Sequence, residues 1–137
     1  DELVKKRIVI AGLYEKACNG CNWLIPQGIT KGAKHTYWTY AMRIDNSKTN
    51  ITWDKFREVY TSHSGNSFYG AWRLSYLESA LEGMEFPEHS IKYERGLCPV
   101  AESIQPQLVQ LKTNYENLDY AKEQASVLNK TIRELSS

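Results

Sequence analysis

No stretch of this 137-residue sequence reaches the run of about 18 apolar residues that a membrane-spanning helix needs. No charged, apolar and small-residue succession of the signal-peptide kind opens it either. Charge of one sign is missing as well. Seventeen Lys and Arg stand against sixteen Asp and Glu, a net charge of +1, which leaves no electrostatic footprint for nucleic acid or an anionic membrane surface. Cysteine is scarce, and its count of three is odd, which argues against a complete disulfide framework. Two sequons, Asn50-Ile51-Thr52 and Asn129-Lys130-Thr131, would permit glycosylation in a secreted protein. With nothing else pointing that way, the thiol usage predicts a reducing cytoplasm. An initiator Met is absent too: Asp1 to Arg7 reads as the inside of an amphipathic helix, which predicts a fragment or an excised domain.

The usual catalytic signatures are also lacking. There is no Gly-x-x-x-x-Gly-Lys phosphate loop and no dinucleotide fingerprint. His35, His63 and His89 stand singly, so no Ser-His-Asp or Cys-His arrangement can be assembled from spacing. Cys18-Asn19-Gly20-Cys21 has the spacing of half a zinc site or of a redox pair. No second pair completes a metal site, however. A redox pair would also favour a helix start, where the dipole lowers a thiol pKa, and this one falls at a helix end. Two incidental thiols are the simpler reading.

What is present is globular. Apolar residues make up 42% and charged residues 24% of the chain, enough for one domain with a core and too little for two. Leu3, Ile10, Tyr14, Ala17 and Cys18 share one helical face across residues 2 to 18, with Asn19-Gly20 as the stop. An irregular linker with Pro26, Gly28 and Gly32 follows. Residues 35 to 44 read as a strand, with Thr36, Trp38, Tyr40, Met42 and Ile44 on the buried side and His35, Tyr37, Thr39, Ala41 and Arg43 on the other. Thr52 is placed to cap a helix running to about Ser62, broken by Ser64-Gly65-Asn66-Ser67. Residues 68 to 82 show no clean period, and Pro87 to Arg95 reads as a loop. From Asn117 to about Leu135, a stripe of Leu118, Ala121, Ala125, Leu128, Ile132 and Leu135 predicts a terminal helix. Such a stripe covers fewer than three heptads, and packing on its own domain is preferred to a coiled-coil seam.

Two segments stand out. In Cys98-Pro99-Val100-Ala101-Glu102-Ser103-Ile104-Gln105-Pro106-Gln107-Leu108-Val109-Gln110-Leu111, Pro99 suits the first turn of a short helix and Pro106 ends it, before a brief apolar strand. Glu102 has no neighbour in sequence that supports a catalytic role. The second segment, His63 to Tyr76, interleaves Gly65 and Gly70 with Phe68, Tyr69, Trp72 and Arg73. Glycines allow close backbone approach, aromatic faces stack on sugars, and a guanidinium grips an anionic oxygen bidentately. An ordinary aromatic core with one surface Arg accounts for these residues equally well.

The motifs, taken in order, resemble the C-terminal region of the DegT/StrS family of sugar aminotransferases, and within it the perosamine-synthase-like members. The resemblance runs through Arg7-Ile8-Val9-Ile10-Ala11-Gly12-Leu13-Tyr14, His35-Thr36-Tyr37-Trp38-Thr39-Tyr40, Trp53-Asp54-Lys55-Phe56, Phe68 to Glu78 and the Cys98 segment. Ser79 stands where the family usually has Pro. The resemblance implies a pyridoxal-phosphate enzyme that moves an amino group, typically from glutamate, onto a keto-sugar nucleotide in surface-polysaccharide or lipopolysaccharide biosynthesis. It also implies a homodimer. The cofactor-bearing lysine and the carboxylate that pairs with the pyridine nitrogen belong to a larger N-terminal domain, and no segment here resembles their motifs. Without that lysine the segment is expected to be inactive alone and to bind no cofactor. The resemblance places Tyr69, Trp72 and Arg73 against the substrate, with His63 and Tyr76 behind them.

The expected fold is α+β: a small, mostly antiparallel sheet holding strands 35–44 and 108–113, with the first and last helices on one face. The expected partners are the large domain of the same enzyme and a nucleotide sugar. A free-standing carbohydrate-binding or protein-interaction module, and one half of a split enzyme, are the competing readings.

Overall fold

The computed structural model describes residues 1–81, 84 and 90–137. Its elements in chain order are α1 (Glu2–Ala17), β1 (Leu24–Pro26), β2 (Thr39–Ile44), α2 (Trp53–Ser62), α3 (Pro99–Ile104), β3 (Leu108–Lys112) and α4 (Leu118–Leu135). The three strands form one antiparallel sheet in the order β1-β2-β3, with Leu24 opposite Ile44 and Tyr40 opposite Leu111. The expected α+β architecture is therefore the one observed.

Period-two alternation gives the sheet an apolar face. Tyr40, Met42 and Ile44 from β2 and Val109 and Leu111 from β3 are almost fully buried. Ile10, Ala11 and Tyr14 of α1 and Ala121, Ala125, Leu128 and Ile132 of α4 belong to the same core, as helical faces with 3.6-residue spacing should. The stripe on α4 thus packs within its own domain. Polar ties fix the layers: the Tyr14 hydroxyl donates to the Lys112 carbonyl at 3.1 Å and Asn129 Nδ2 donates to the Ala17 carbonyl at 3.2 Å. Trp23 Nε1 donates to Ser136 Oγ at 2.9 Å, clasping the end of α4 to the segment after α1.

Several expectations need correction. Leu3, in the first turn of α1, is 76% exposed rather than buried. The linker holding Pro26 contains a short edge strand, β1, where the missing N–H of a proline is tolerated. The 35–44 strand begins only at Thr39. His35 Nδ1 accepts the Tyr37 N–H at 2.9 Å, and Tyr37 takes a left-handed φ of 48°. That local turn ends extension, so Thr36 is exposed and Trp38 is 64% exposed rather than buried. The expected 87–95 loop lies partly outside the described residues, as does His89; residues 90–95 form neither helix nor strand.

Helix α2 behaves as its caps dictate. Thr52 Oγ1 accepts the Lys55 N–H at 3.1 Å. At the other end the Ser64 N–H donates to the Thr61 carbonyl and the Gly65 N–H to the Tyr60 carbonyl, both at 2.9 Å. This pair of bonds is a Schellman motif, but the left-handed residue in it is Ser64, with φ 67°, not the glycine.

The Cys18-x-x-Cys21 pair sits at the end of α1. All three cysteines are free, and Cys18 is buried with its Sγ–H directed at Met42 Sδ, 3.6 Å away. Burial, followed by the nearby Cys21 and Glu15, pushes its thiol up to about 12. A thiol so protonated at neutral pH is a packing group rather than a nucleophile.

Candidate functional site

The segment after α2 crosses to the free edge of the sheet. Tyr69 forms an isolated antiparallel bridge with Gln110 of β3: its N–H donates to the Gln110 carbonyl at 3.0 Å, and the Gln110 N–H returns to its carbonyl at 2.8 Å. Gln110 Nε2 adds a bond to the Gly70 carbonyl at 2.9 Å. A Cβ at Gly70 would sit 3.4 Å from the Trp53 indole, so this backbone passes close over that ring. Trp72 is then carried out to solvent, 77% exposed, with its carbonyl held by Gln105 Nε2 at 2.7 Å. A 3₁₀ turn over Ser75–Leu77 follows.

Helix α3 is tied to this segment through the Tyr76–Glu102 bond. Pro99 occupies its first turn and Pro106 lies in the 3₁₀ turn Gln105–Gln107 that delivers the chain to β3. The sequence of turns is the one that the two prolines predict. Glu102 is the hub of this region. One carboxylate oxygen, Oε1, accepts the Tyr76 hydroxyl at 2.6 Å, the Gly96 N–H at 2.7 Å and the Cys98 N–H at 3.3 Å. Three donors on one carboxylate favour its charged form. The Tyr76 bond is the largest cause holding Glu102 below the usual carboxylate range, with Arg95 adding its charge.

Between the Arg73–Glu78 stretch and the Tyr93–Arg95 segment lies a cleft of about 450 Å³ lined by Arg73, Tyr76, Glu78, Glu94, Arg95 and Gln105 among others. A second hollow of about 430 Å³ on the other side of Gln105 is lined by Trp53, Asp54, Gly70, Ala71, Pro106 and Leu108. Arg73 and Tyr76 thus share one cleft, flanked by Trp72 and Tyr69 along the same strap. His63 does not join them. It is the C-cap residue of α2, and its Nε2 lies 2.8 Å from Glu134 Oε2 on α4.

Sequence reasoning missed Arg95, Glu94 and the structural role of Glu102. Only the last had a local signal, a carboxylate in the first turn of a proline-started helix, where it can reach back to exposed N–H groups. Arg95 lies 22 positions from Arg73 in sequence, and the Glu102 bonds to Tyr76, Gly96 and Cys98 help bring their two segments together.

The Tyr76–Glu102 bond makes a testable pH dependence. Partial burial first, and then the Glu102 bond and charge, push the Tyr76 hydroxyl up to about 12. A raised folded value means the contact contributes fully below the ordinary tyrosine value of about 10 and is lost as pH climbs through about 12. Glu102 has the opposite sign: its contribution holds above the ordinary carboxylate value and disappears as pH falls through the lowered one. The tie is therefore intact at neutral pH. In a tyrosinate absorbance titration, read as the difference from Tyr76→Phe, Glu102→Gln should bring the Tyr76 value down while leaving it above 10. An unchanged Tyr76 titration would show that the bond is not formed.

No protein-family model matches the chain, and no curated protein matches it. Among solved structures, the fold is similar to that of 3-amino-5-hydroxybenzoic acid synthase. The TM-score is 0.68 at 18% identity over 98% of this chain. The chain spans 35% of the length of that structure, and at this identity the likeness is one of fold.

Proposed function

We propose that this chain is the small C-terminal domain of a longer pyridoxal-phosphate-dependent aminotransferase of the DegT/StrS type. In this reading the whole enzyme transfers an amino group, from glutamate, to a keto-sugar nucleotide in polysaccharide or lipopolysaccharide biosynthesis. The observation that carries it is the fold likeness to a synthase over nearly all of this chain and about a third of that one. The order of family-like motifs along the sequence supports the same assignment.

The domain's own contribution is recognition. The strap from Tyr69 to Tyr76 presents Tyr69, Trp72 and Arg73 at the surface, with Tyr76 locked behind by Glu102. Trp72 is 77% and Val100 71% exposed on neighbouring segments. Exposed large apolar side chains such as these suit contact with a further surface, here the large domain that carries the cofactor. Pyridoxal phosphate would supply the electron sink for amino transfer; the residues of this chain bind and orient the sugar end. His63, engaged with Glu134, stands outside that role and serves to join α2 to α4.

Arg73→Ala in the full-length enzyme should raise the KM for the sugar nucleotide about tenfold or more with little change in kcat, as loss of a charge-assisted contact made equally in ground and transition states requires. Steady-state kinetics with varied sugar nucleotide at saturating amino donor reads this out. Unchanged kinetics would remove Arg73 from the site.

A further inference from the structure

We propose that Cys18, Cys21 and Met42 form a binding site for a soft monovalent metal ion, Cu(I) by preference, where the end of α1 meets the sheet. The inference stands apart from the aminotransferase reading and uses none of the residues assigned to it.

The site joins a local motif to a residue distant in sequence. The Cys21 N–H donates to the Cys18 carbonyl at 3.0 Å, closing a turn over Asn19 and Gly20, and Gly20 supplies the left-handed φ of 84°. Such a turn holds its first and last Cα atoms within about 7 Å, so both thiols can reach one ion. Both cysteines pack against the core. Strand β2 brings Met42, 1% exposed, to the same place, with its Sδ 3.6 Å from Cys18 Sγ. Two thiols and a thioether make a donor set of sulfur alone. Among the described residues no group of three or more His, Cys, Asp and Glu side chains is placed to hold a metal, so the four-ligand set of a structural zinc site is missing.

Thiolate and thioether sulfurs select Cu(I) over harder divalent ions. Burial keeps the Cys18 thiol protonated at neutral pH, yet a coordinating thiol is deprotonated outright by its ion. Binding therefore releases two protons, one from each thiol, forms two copper–thiolate bonds and changes no oxidation state. The complex carries one excess negative charge, and Tyr40 offers a donor for it. Its hydroxyl is buried without a hydrogen-bond partner in a residue only 3% exposed, an arrangement that ordinarily costs stability. After burial, Cys18 is the strongest influence on that hydroxyl. A thiolate at Cys18 would give it the acceptor it lacks.

The test titrates this 137-residue chain anaerobically with Cu(I) against the chromogenic chelator bicinchoninate. One equivalent should be withheld from the chelator, with amide NMR shifts centred on residues 18–23 and 40–43. Cys21→Ser should abolish retention. Met42→Leu, which conserves core volume, should weaken it while circular dichroism stays that of the parent. Tyr40→Phe should weaken it about tenfold or more at unchanged stoichiometry. Cys98→Ser, at the exposed thiol preceding α3, should change nothing, and Zn(II) should not compete. Failure to withhold Cu(I), retention lost in Cys98→Ser, or retention unchanged in both Cys21→Ser and Met42→Leu would overturn the site. Zn(II) bound as tightly as Cu(I) would overturn the choice of ion.

Discussion

Phe56→Ala should cost about 3–5 kcal/mol of folding stability, the usual range for emptying a fully buried aromatic site. Phe56 is 0% exposed and stands at the centre of an aromatic cluster. Its ring is stacked with Tyr60 at 6.0 Å and meets Phe68 edge-on at 5.7 Å and Trp23 at 6.4 Å. Truncation removes the buried area of the ring and also these pair contacts, each worth about 0.5–1.5 kcal/mol beyond burial. Neighbouring rings are themselves anchored, because the Tyr60 hydroxyl donates to Gln124 and Trp23 Nε1 to Ser136. They cannot collapse freely into the void, which places the cost toward the upper end. Since whole domains are stable by only about 5–15 kcal/mol, the variant sits near the edge of folding. Urea unfolding should show a large fall in midpoint with an unchanged slope. Leu3→Ala, at a residue 76% exposed, should fall within about 0.5 kcal/mol of the parent. A Phe56→Ala cost under about 1 kcal/mol would mean the cluster is not the core of α2 packing.

The second large effect is expected at Gly65, for a steric rather than conformational reason. A Cβ on Gly65 would overlap the Tyr60 ring and lie 2.5 Å from the Tyr60 carbonyl oxygen. That carbonyl is the acceptor of the Gly65 N–H itself. Relief requires Tyr60 to leave its rotamer, which breaks its bond to Gln124 Oε1, the atom that also accepts the Asn66 N–H at 2.7 Å. Gly65→Ala should therefore cost about 3 kcal/mol, the upper range for overpacking a closed site. Two other glycines separate this cause from backbone effects. Gly20 has φ 84° but open space around its Cβ position, so Gly20→Ala should cost only about 1 kcal/mol. Gly12, inside α1 with nothing near its Cβ position, should give a variant up to about 1 kcal/mol more stable as alanine. Thermal unfolding of the three variants should rank Gly65→Ala last by a wide margin. Equal costs at Gly65 and Gly20 would contradict the steric account.

These two sites also show what the sequence made legible. The α2 helix was readable because Thr52 caps it and Ser64-Gly65 stops it, both local chemical signals. The α4 stripe and the proline punctuation around Cys98 to Leu111 were readable for the same reason. Alternation of apolar types continues through Thr36 and Trp38 and predicts a buried Trp38, while the His35–Tyr37 turn that ends the strand leaves no periodic trace. The edge strand β1 is three residues long and ends in a proline, which is too little pattern to register. Within the candidate site, Arg73 and Tyr76 were legible as a local cluster of types. Arg95 was not, because its place in the cleft depends on Glu102 bridging segments that are distant in sequence. The family resemblance places His63 behind them, whereas its ring meets Glu134 on α4.

We propose that this domain completes an aminotransferase whose cofactor domain lies elsewhere in the protein. It is tested most directly by measuring glutamate-dependent amino transfer to keto-sugar nucleotides with the protein encoded by the complete reading frame, loaded with pyridoxal phosphate. Transfer is expected from that protein and none from the 137-residue chain alone, with a raised KM for the sugar nucleotide in Arg73→Ala. A cofactor-loaded full-length protein that transfers no amino group to any keto-sugar nucleotide would contradict it.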